Sequence, residues 1–298
     1  MSIVPAGPDR AEAARLAALA LAEDLAGGVD VTTIATVPAG HRSVAELVAR
    51  VPGVVAGLPI AAEVFAQRLG ADGSVVAAVA DGDRVTAGQL LLTATGPTRG
   101  LLTAERSALN LLCHLSGVAT LTAAWVAAVA GTGAVIRDTR KTMPGLRAAE
   151  KYAVRCGGGA NHRMGLTDQA LIKDNHLIAA GGVTAALDAV RAAFPDVFCE
   201  VECDTLAQVE EAARQGAALV LLDNMSVPQT RAAVELARRY GTRTEASGGL
   251  TLDRAREVAL TGVDYLAVGA LTHSAPGLDI GLDLRATADR PDGDPAAT

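Results

Sequence analysis

From residue 134 the chain repeats one pattern six times. A short apolar run ends in polar residues, and a stretch with helix signals follows. The runs are AVIRDT from 134, ALIKDNH from 170, FCEVEC from 198, LVLLDN from 219, RTEASG from 243 and YLAVGA from 265. Between them, Asp204 or Thr205 can cap a helix that Gly216 stops. Ser226 with an early Pro228 opens one that Gly241 closes, and Thr251 and Gly262 bracket another. The runs start 21 to 36 residues apart, as expected of βα units whose strands lie parallel. Such a series makes an open doubly wound sheet or a barrel. Polar residues at the C-terminal end of nearly every strand favour the barrel, where those ends converge on one site; an open sheet concentrates its site at a switch point. Six strands fall short of the usual eight.

The first ~110 residues follow a different pattern. An N-terminal helix precedes Gly-punctuated strand-like pieces such as SVAELVAR and GQLLLTATG. The stretch DGDRVTAGQLLLTATG has the turn chemistry of carrier-domain hairpins but contains no lysine. The expected organisation is a smaller N-terminal α+β sandwich domain over 1–116, an incomplete α/β barrel over 117–285, and a disordered tail over 286–298.

Composition excludes several functions. Aromatic residues make up 2% of the chain, too few to build a stacking platform for single-stranded nucleic acid. The formal charge of -7 disfavours duplex binding. Cys113, Cys156, Cys199 and Cys203 form no C-x-x-C pair, so neither zinc nor a disulfide framework is expected. The N-terminal stretch lacks a basic region followed by an apolar core, and a cytoplasmic enzyme is expected. Residues 107–136 carry no Asp, Glu, Lys or Arg, but they are rich in Ala, Gly and Thr. That composition suits helices buried in protein better than a membrane span.

Within this acidic chain, residues 137–163 hold Arg137, Arg140, Lys141, Arg147, Lys151, Arg155 and Arg163 against Asp138 and Glu150. The cluster runs into CGGGANHR, which is no P-loop because no Gly-Lys-Ser/Thr follows. The strand ends add Lys173, Glu202, Asp223, Ser247-Gly248-Gly249, and Gly269 with His273 just beyond. One mouth would then hold cations on one side and two carboxylates on the other. A polyanionic substrate carrying a hard divalent cation fits such a mouth. The Gly-rich turns after the last two strands lie where barrels commonly bind phosphate. Each feature alone is weak, since a strand-end lysine is usually solvated and SGG is usually a turn. Their succession at consecutive strand ends is the signal.

The segments RDTRKTMPGLRAAEKYAVRCGGGANHRMGL, LIKDNH, EVECDT, LLDNMS, EASGGL and TGVDYLAVGALTHSAPGLDIGLD resemble those of quinolinate phosphoribosyltransferase, the decarboxylating nicotinate-nucleotide pyrophosphorylase. The likeness runs in order from about Asp24 to Asp283. It implies a sandwich domain joined to an incomplete barrel, in a homodimer or a hexamer (a trimer of dimers) whose barrel mouths are covered by the partner's N-terminal domain. It implies that quinolinate and phosphoribosyl pyrophosphate, with Mg²⁺, give nicotinate mononucleotide, pyrophosphate and carbon dioxide. Arg140, His162 and Arg163 match the family's binders of the quinolinate carboxylates, and Lys141 and Lys173 line the same pocket as catalytic residues. Glu202 and Asp223 match the catalytic acidic pair near ribose and metal. Ser247, Gly248, Gly249, Gly269 and His273 match the phosphate end. TAERSALNLL reads as a helix capped by Thr103 with Arg106 in its first turn, opposing the helix dipole. From the residues alone Arg106 is a solvated arginine; the resemblance implies that it enters the neighbouring subunit's site.

Two other functions stay open at this level. One keeps the fold and transfers phosphoribose to nicotinate or another pyridine without decarboxylation. The other is a non-catalytic metabolite-binding barrel, which the loss of Glu202, Asp223 or Lys173 would signal; all three are present.

Overall fold

A computed structural model of the chain describes residues 7–286. These divide into two compact units, residues 7–116 with 277–286, and residues 117–276.

The first unit begins with helices α1 (Arg10–Leu25), capped by Asp9, and α2 (Val31–Thr36), capped by Asp30. Then come strands β1 (Arg42–Ala49) and β2 (Gly53–Val54), helix α3 (Leu58–Leu69), and strands β3 (Ser74–Ala77), β4 (Arg84–Val85) and β5 (Leu90–Pro97). Helix α4 (Thr98–Ala128) begins in this unit. The antiparallel sheet has the order Ile280–Ala286, β1, β5, β3. Alternation in β1 turns Ala45, Leu47 and Ala49 inward, onto Leu21 of α1, Phe65 of α3 and Leu101 and Leu112 of α4. Each fully buried leucine there contributes about 1.5–3 kcal/mol.

β4 pairs with β2, and β5 lies between β1 and β3. One sequence expectation changes in this unit. Residues 277–285, expected in the barrel, belong to this sheet. Ile280–Ala286 runs antiparallel to β1, and Leu278 and Ile280 enter its core. Apart from Ala286, the expected tail lies outside the described residues.

Among the described residues one helix, α4, is long and apolar enough to cross a membrane, and half of its most apolar stretch is buried in the fold. Residues 101–112 supply the sandwich core, and Val118, Ala119, Thr122 and Trp125 are buried further along. α4 begins at Thr98, so Arg106 lies more than two turns inside it, not in a first turn capped by Thr103. The expected conflict with the helix dipole is therefore absent.

The second unit carries all six expected strands: β6 (Val135–Arg137), β7 (Ala170–Ile172), β8 (Cys199–Cys203), β9 (Leu219–Asp223), β10 (Arg243–Ser247) and β11 (Tyr265–Ala267). All pairings are parallel, in the order β6-β11-β10-β9-β8-β7. Each strand therefore pairs with its neighbours in sequence, and β6 closes onto β11. The ring is open only between β6 and β7, which makes an incomplete α/β barrel. Next to that opening, Ala160 makes a parallel bridge to Arg137.

Helix α5 (Arg147–Cys156) precedes the bridge; α6 (Asp174–Ala180), α7 (Val183–Ala193), α8 (Leu206–Arg214), α9 (Val227–Arg238), α10 (Ala255–Ala259) and α11 (Ala270–His273) follow the later strands. Thr205 with Gln208 and Ser226 with Gln229 form the capping boxes of α8 and α9. Ile172, Val201, Cys203, Val220 and Leu222 pack outward with Val209, Ala212 and Ala233 of the helices. The alternate residues of the same strands therefore face the barrel interior.

Candidate active site

The inward positions at the C-terminal ends of the strands line a cavity of about 470 Å³. Its walls carry Arg140, Lys141, His162, Arg163, Lys173, Glu202, Asp223, Ser247, Gly248 and Gly249. Ten of the thirteen residues expected from the sequence thus meet at one mouth. Gly269 and His273 stand beside it: a Cβ on Gly269 would lie 3.0 Å from Lys141 Cδ and 3.3 Å from His273 Nε2. Thr272 Oγ1 donates to the Lys141 carbonyl at 2.7 Å, tying that loop to the mouth. Arg106 lies exposed on α4, in the other unit.

The strand period places these groups. Glu202 lies two residues after Glu200 on β8, and Ser247 two after Glu245 on β10, so each pair shares the inner face. Lys173 directly follows β7 and forms an ion pair with Glu202. Asp223 ends β9, where its Oδ2 accepts from Asn224 Nδ2 at 2.7 Å. The Asn224 amide in turn donates to the Ser247 carbonyl at 2.9 Å, joining the ends of β9 and β10. Gly248 has φ +84°, and a Cβ there would come within 2.3 Å of Asn224 Oδ1, so only glycine fits.

The cationic cluster divides in two. Arg137 bonds Glu245 at 2.6 Å, Lys151 pairs with Asp138 in the interior, and Arg155 donates to Asn161 Oδ1 at 2.5 Å. Arg147 donates to Thr142 Oγ1 at 2.9 Å and to the Met164 carbonyl at 3.0 Å. Those four serve the fold. Arg140, Lys141 and Arg163 face the cavity. The Nε of Arg140 is buried without a hydrogen-bond partner. Burial, and then repulsion from Arg140, lowers the pKa of the Arg163 guanidinium. Two crowded guanidinium groups, one with an unused buried donor, call for an anion. The glycines that end the cluster are a packing device, since a Cβ on Gly157 would lie 2.4 Å from the Ala119 carbonyl oxygen of α4.

Beneath the mouth, His162 Nε2 lies 2.9 Å from Glu200 Oε2 and 3.3 Å from Glu245 Oε1. The 2.9 Å contact is a hydrogen bond. The longer one lacks hydrogen-bond geometry, so Glu245 Oε1 stays unpartnered, as does Glu200 Oε1. One imidazole and two carboxylates within 4.8 Å of one another have the composition of a metal site. The tautomer argues against one. The Arg163 amide donates to His162 Nδ1 at 2.7 Å, which places the ring hydrogen on Nε2 and removes its lone pair. Burial alone would lower the His162 pKa, but the hydrogen bond to Glu200 and the close negative charges of Glu200 and Glu245 outweigh it and raise it to about 9. A second ring proton would oppose the Arg163 amide hydrogen. We therefore assign the extra proton to the group as a whole, shared with Glu200, whose own pKa burial raises.

His162 lines the cavity, and both of its ring nitrogens have partners within the protein: Nδ1 accepts from the Arg163 amide and Nε2 meets Glu200. Sequence reasoning missed Thr139, Asn224 and Glu245, which also line the cavity. Glu200 and Glu245 had a readable signal, since each is an acid two residues before a named strand-end residue and hence on the same face.

Two family models match the chain, "Quinolinate phosphoribosyl transferase, N-terminal domain" over residues 30–116 and "Quinolinate phosphoribosyl transferase, C-terminal domain" over 118–283. A carboxylating nicotinate-nucleotide pyrophosphorylase of Mycobacterium leprae is 58% identical over 268 residues, covering 89% of this chain and 94% of its own length. The nicotinate-nucleotide pyrophosphorylase structure from Francisella tularensis superposes with TM-score 0.88 at 35% identity, covering 93% of this chain and 98% of its own. The structure of NadC from Streptococcus pyogenes gives 0.86 at 40% identity, covering 92% and 96%.

Proposed function

The chain belongs to the quinolinate phosphoribosyltransferase family, and from that premise we propose how its barrel mouth performs the family's reaction. The enzyme transfers the phosphoribosyl group of phosphoribosyl pyrophosphate to quinolinate with decarboxylation, giving nicotinate mononucleotide, pyrophosphate and carbon dioxide for NAD synthesis.

The unpartnered, buried Nε of Arg140 beside the Arg163 guanidinium is the observation that carries the residue-level reading. The two quinolinate carboxylates would take up these donors and relieve their repulsion, since an arginine fork suits a carboxylate. Lys141 and Lys173 complete the cationic wall. This is more positive charge than one carboxylate needs, which favours a dicarboxylate over nicotinate. Ser247, Gly248 and Gly249 would hold phosphate through backbone amides, with Gly269 and His273 at the adjoining rim.

The ring nitrogen attacks the anomeric carbon as pyrophosphate leaves. Glu202 and Asp223 would stabilise the positive charge that develops on the ribose. Once the nitrogen is quaternised, the adjacent positive charge stabilises the electron pair that the breaking carbon–carbon bond leaves on the ring carbon; carbon dioxide departs and a proton from solvent takes its place on that carbon. The protein's part is orientation and charge placement. Glu202 and Asp223 supply hard oxygen ligands at neighbouring strand ends, a donor set that fits Mg²⁺. When bound, the ion would neutralise charge on the pyrophosphate.

The exposed position of Arg106 on α4 supports the proposal that it completes the partner's site in a dimer or in a hexamer built from dimers. The four free thiols agree with a cytoplasmic location.

Product analysis tests the reading. Purified protein receives Mg²⁺, phosphoribosyl pyrophosphate and either quinolinate or nicotinate. Carbon dioxide and nicotinate mononucleotide are expected from quinolinate; turnover of nicotinate alone would overturn the substrate assignment.

A further inference from the structure

Among the charged side chains of the second unit that reach neither the cavity lining nor the surface, two are paired with each other. Asp138 follows β6, Lys151 lies on α5, and both side chains are fully buried as an ion pair. Taking two charges out of water is expensive, and an apolar pair of similar volume is often as stable. Stability alone therefore does not explain them.

Their hydrogen bonds suggest another role. Asp138 Oδ1 accepts the His162 amide at 2.8 Å, and Lys151 Nζ donates to the His162 carbonyl at 2.9 Å. Asp138 Oδ2 accepts from Asn161 Nδ2, which also donates to the Lys151 carbonyl at 2.8 Å. The pair thus holds both main-chain polar groups of His162. The His162 carbonyl and the Arg163 amide share one planar peptide unit. Fixing that plane directs the Arg163 amide onto His162 Nδ1 and sets the line along which the Arg163 side chain leaves the backbone. The guanidinium is then anchored by donation from Nη1 to the Gln169 carbonyl at 3.0 Å. Such a clamp is needed because Arg163 stands against the like charge of Arg140, and a loosely held arginine would turn away. It also lies where the barrel needs support, since Ala160 bridges β6 at the opening of the ring.

We propose that Asp138 and Lys151 are positioning residues of the quinolinate subsite, aiming Arg163 through the His162 peptide unit. The proposal rests on the quinolinate reading above.

The test compares the wild-type protein with Asp138→Leu/Lys151→Met, which replaces the charges by apolar bulk, and with the isosteric Asp138→Asn. Thermal melting reports the fold, and calorimetry gives separate dissociation constants for quinolinate and phosphoribosyl pyrophosphate. In each folded variant we expect quinolinate affinity to fall at least about fivefold and phosphoribosyl pyrophosphate affinity to change less than about twofold. A smaller loss of quinolinate affinity, or an equal loss for both substrates, overturns the proposal. So does failure of both variants to fold, which would assign the pair to stability. If the wild-type protein itself does not bind quinolinate, it is the substrate reading that fails.

Discussion

Replacing Gly248 by alanine should damage the barrel mouth by an amount the structure lets us work out. The residue has φ +84°, in the left-handed region, where a side chain costs about 1–2 kcal/mol. The new Cβ would also lie 2.3 Å from Asn224 Oδ1 and 2.6 Å from its Cγ. Asn224 would have to swing away and give up its 2.7 Å bond to Asp223, a further loss of about 0.5–1.5 kcal/mol. The sum is roughly 2–3 kcal/mol, which at about 2–4 °C per kcal/mol lowers the melting temperature by about 4–12 °C.

The kinetic effect follows from the same contact. Asp223 would lose the partner that orients it, and the glycine turn would shift, so KM for phosphoribosyl pyrophosphate should rise about tenfold or more while KM for quinolinate changes less. Thermal melts and initial rates with each substrate varied provide the assay. A double-mutant cycle with Asn224→Ala isolates the collision, because the double variant should lose about 1 kcal/mol less than the two single losses added. Additive losses would refute the collision. A melting temperature within about 1 °C of wild type, with unchanged kinetics, would refute the whole line of reasoning.

Three other perturbations follow from the buried charges and the proposed assembly. Arg137→Met leaves Glu245, whose side chain is fully buried, without its 2.6 Å partner; urea unfolding should show a loss of about 3–5 kcal/mol, and a loss below about 1 kcal/mol would contradict the structural role. The extra proton shared by His162 and Glu200 gives a pH dependence. A folded pKa raised to about 9 contributes stability that is fully present below the unfolded histidine value of about 6.5 and is lost as pH rises through the folded value. Denaturation between those limits should therefore show stability declining toward alkaline pH, and His162→Gln should flatten the slope; a wild-type profile already flat would refute the shared proton. If Arg106 acts across a dimer interface, mixing inactive Arg106→Ala and Asp223→Ala subunits should restore up to about a quarter of wild-type activity, and no recovery after demonstrated subunit exchange would exclude a shared site.

The barrel was legible because its signals are local. Six apolar runs ending in polar residues gave six parallel strands, and Thr205 and Ser226 capped their helices as expected. The ring order and its opening between β6 and β7 depend on pairings between distant segments, which periodicity cannot reach. The same limit explains why 277–285 was placed in the wrong unit. Its partner is β1, more than 200 residues earlier, and only Leu278 and Ile280, buried in the sandwich core, reveal the pairing. Arg106 was misread for a local reason: the helix begins at Thr98, before the Thr103 that looked like its cap.

The site shows a finer division. Residues at strand ends could be assigned because chain order brings them to one mouth. What their charges face could not. Of the seven cations between residues 137 and 163, Arg137, Arg147, Lys151 and Arg155 have protein partners in the interior or beside it, while Arg140, Lys141 and Arg163 line the cavity. Spacing does not separate these groups; Arg137 and Arg140 stand three residues apart, and one is neutralised by Glu245 from β10 while the other keeps an unused donor. The local excess of positive charge therefore overstates the field available to a substrate. Glu245 from β10 reduces it at Arg137, Asp138 of the same segment turns inward onto Lys151, and at the mouth Glu202 from β8 likewise pairs with Lys173. Bringing these opposing charges together is the work of the fold, and the cations left at the mouth are those that await the substrate's own negative charge.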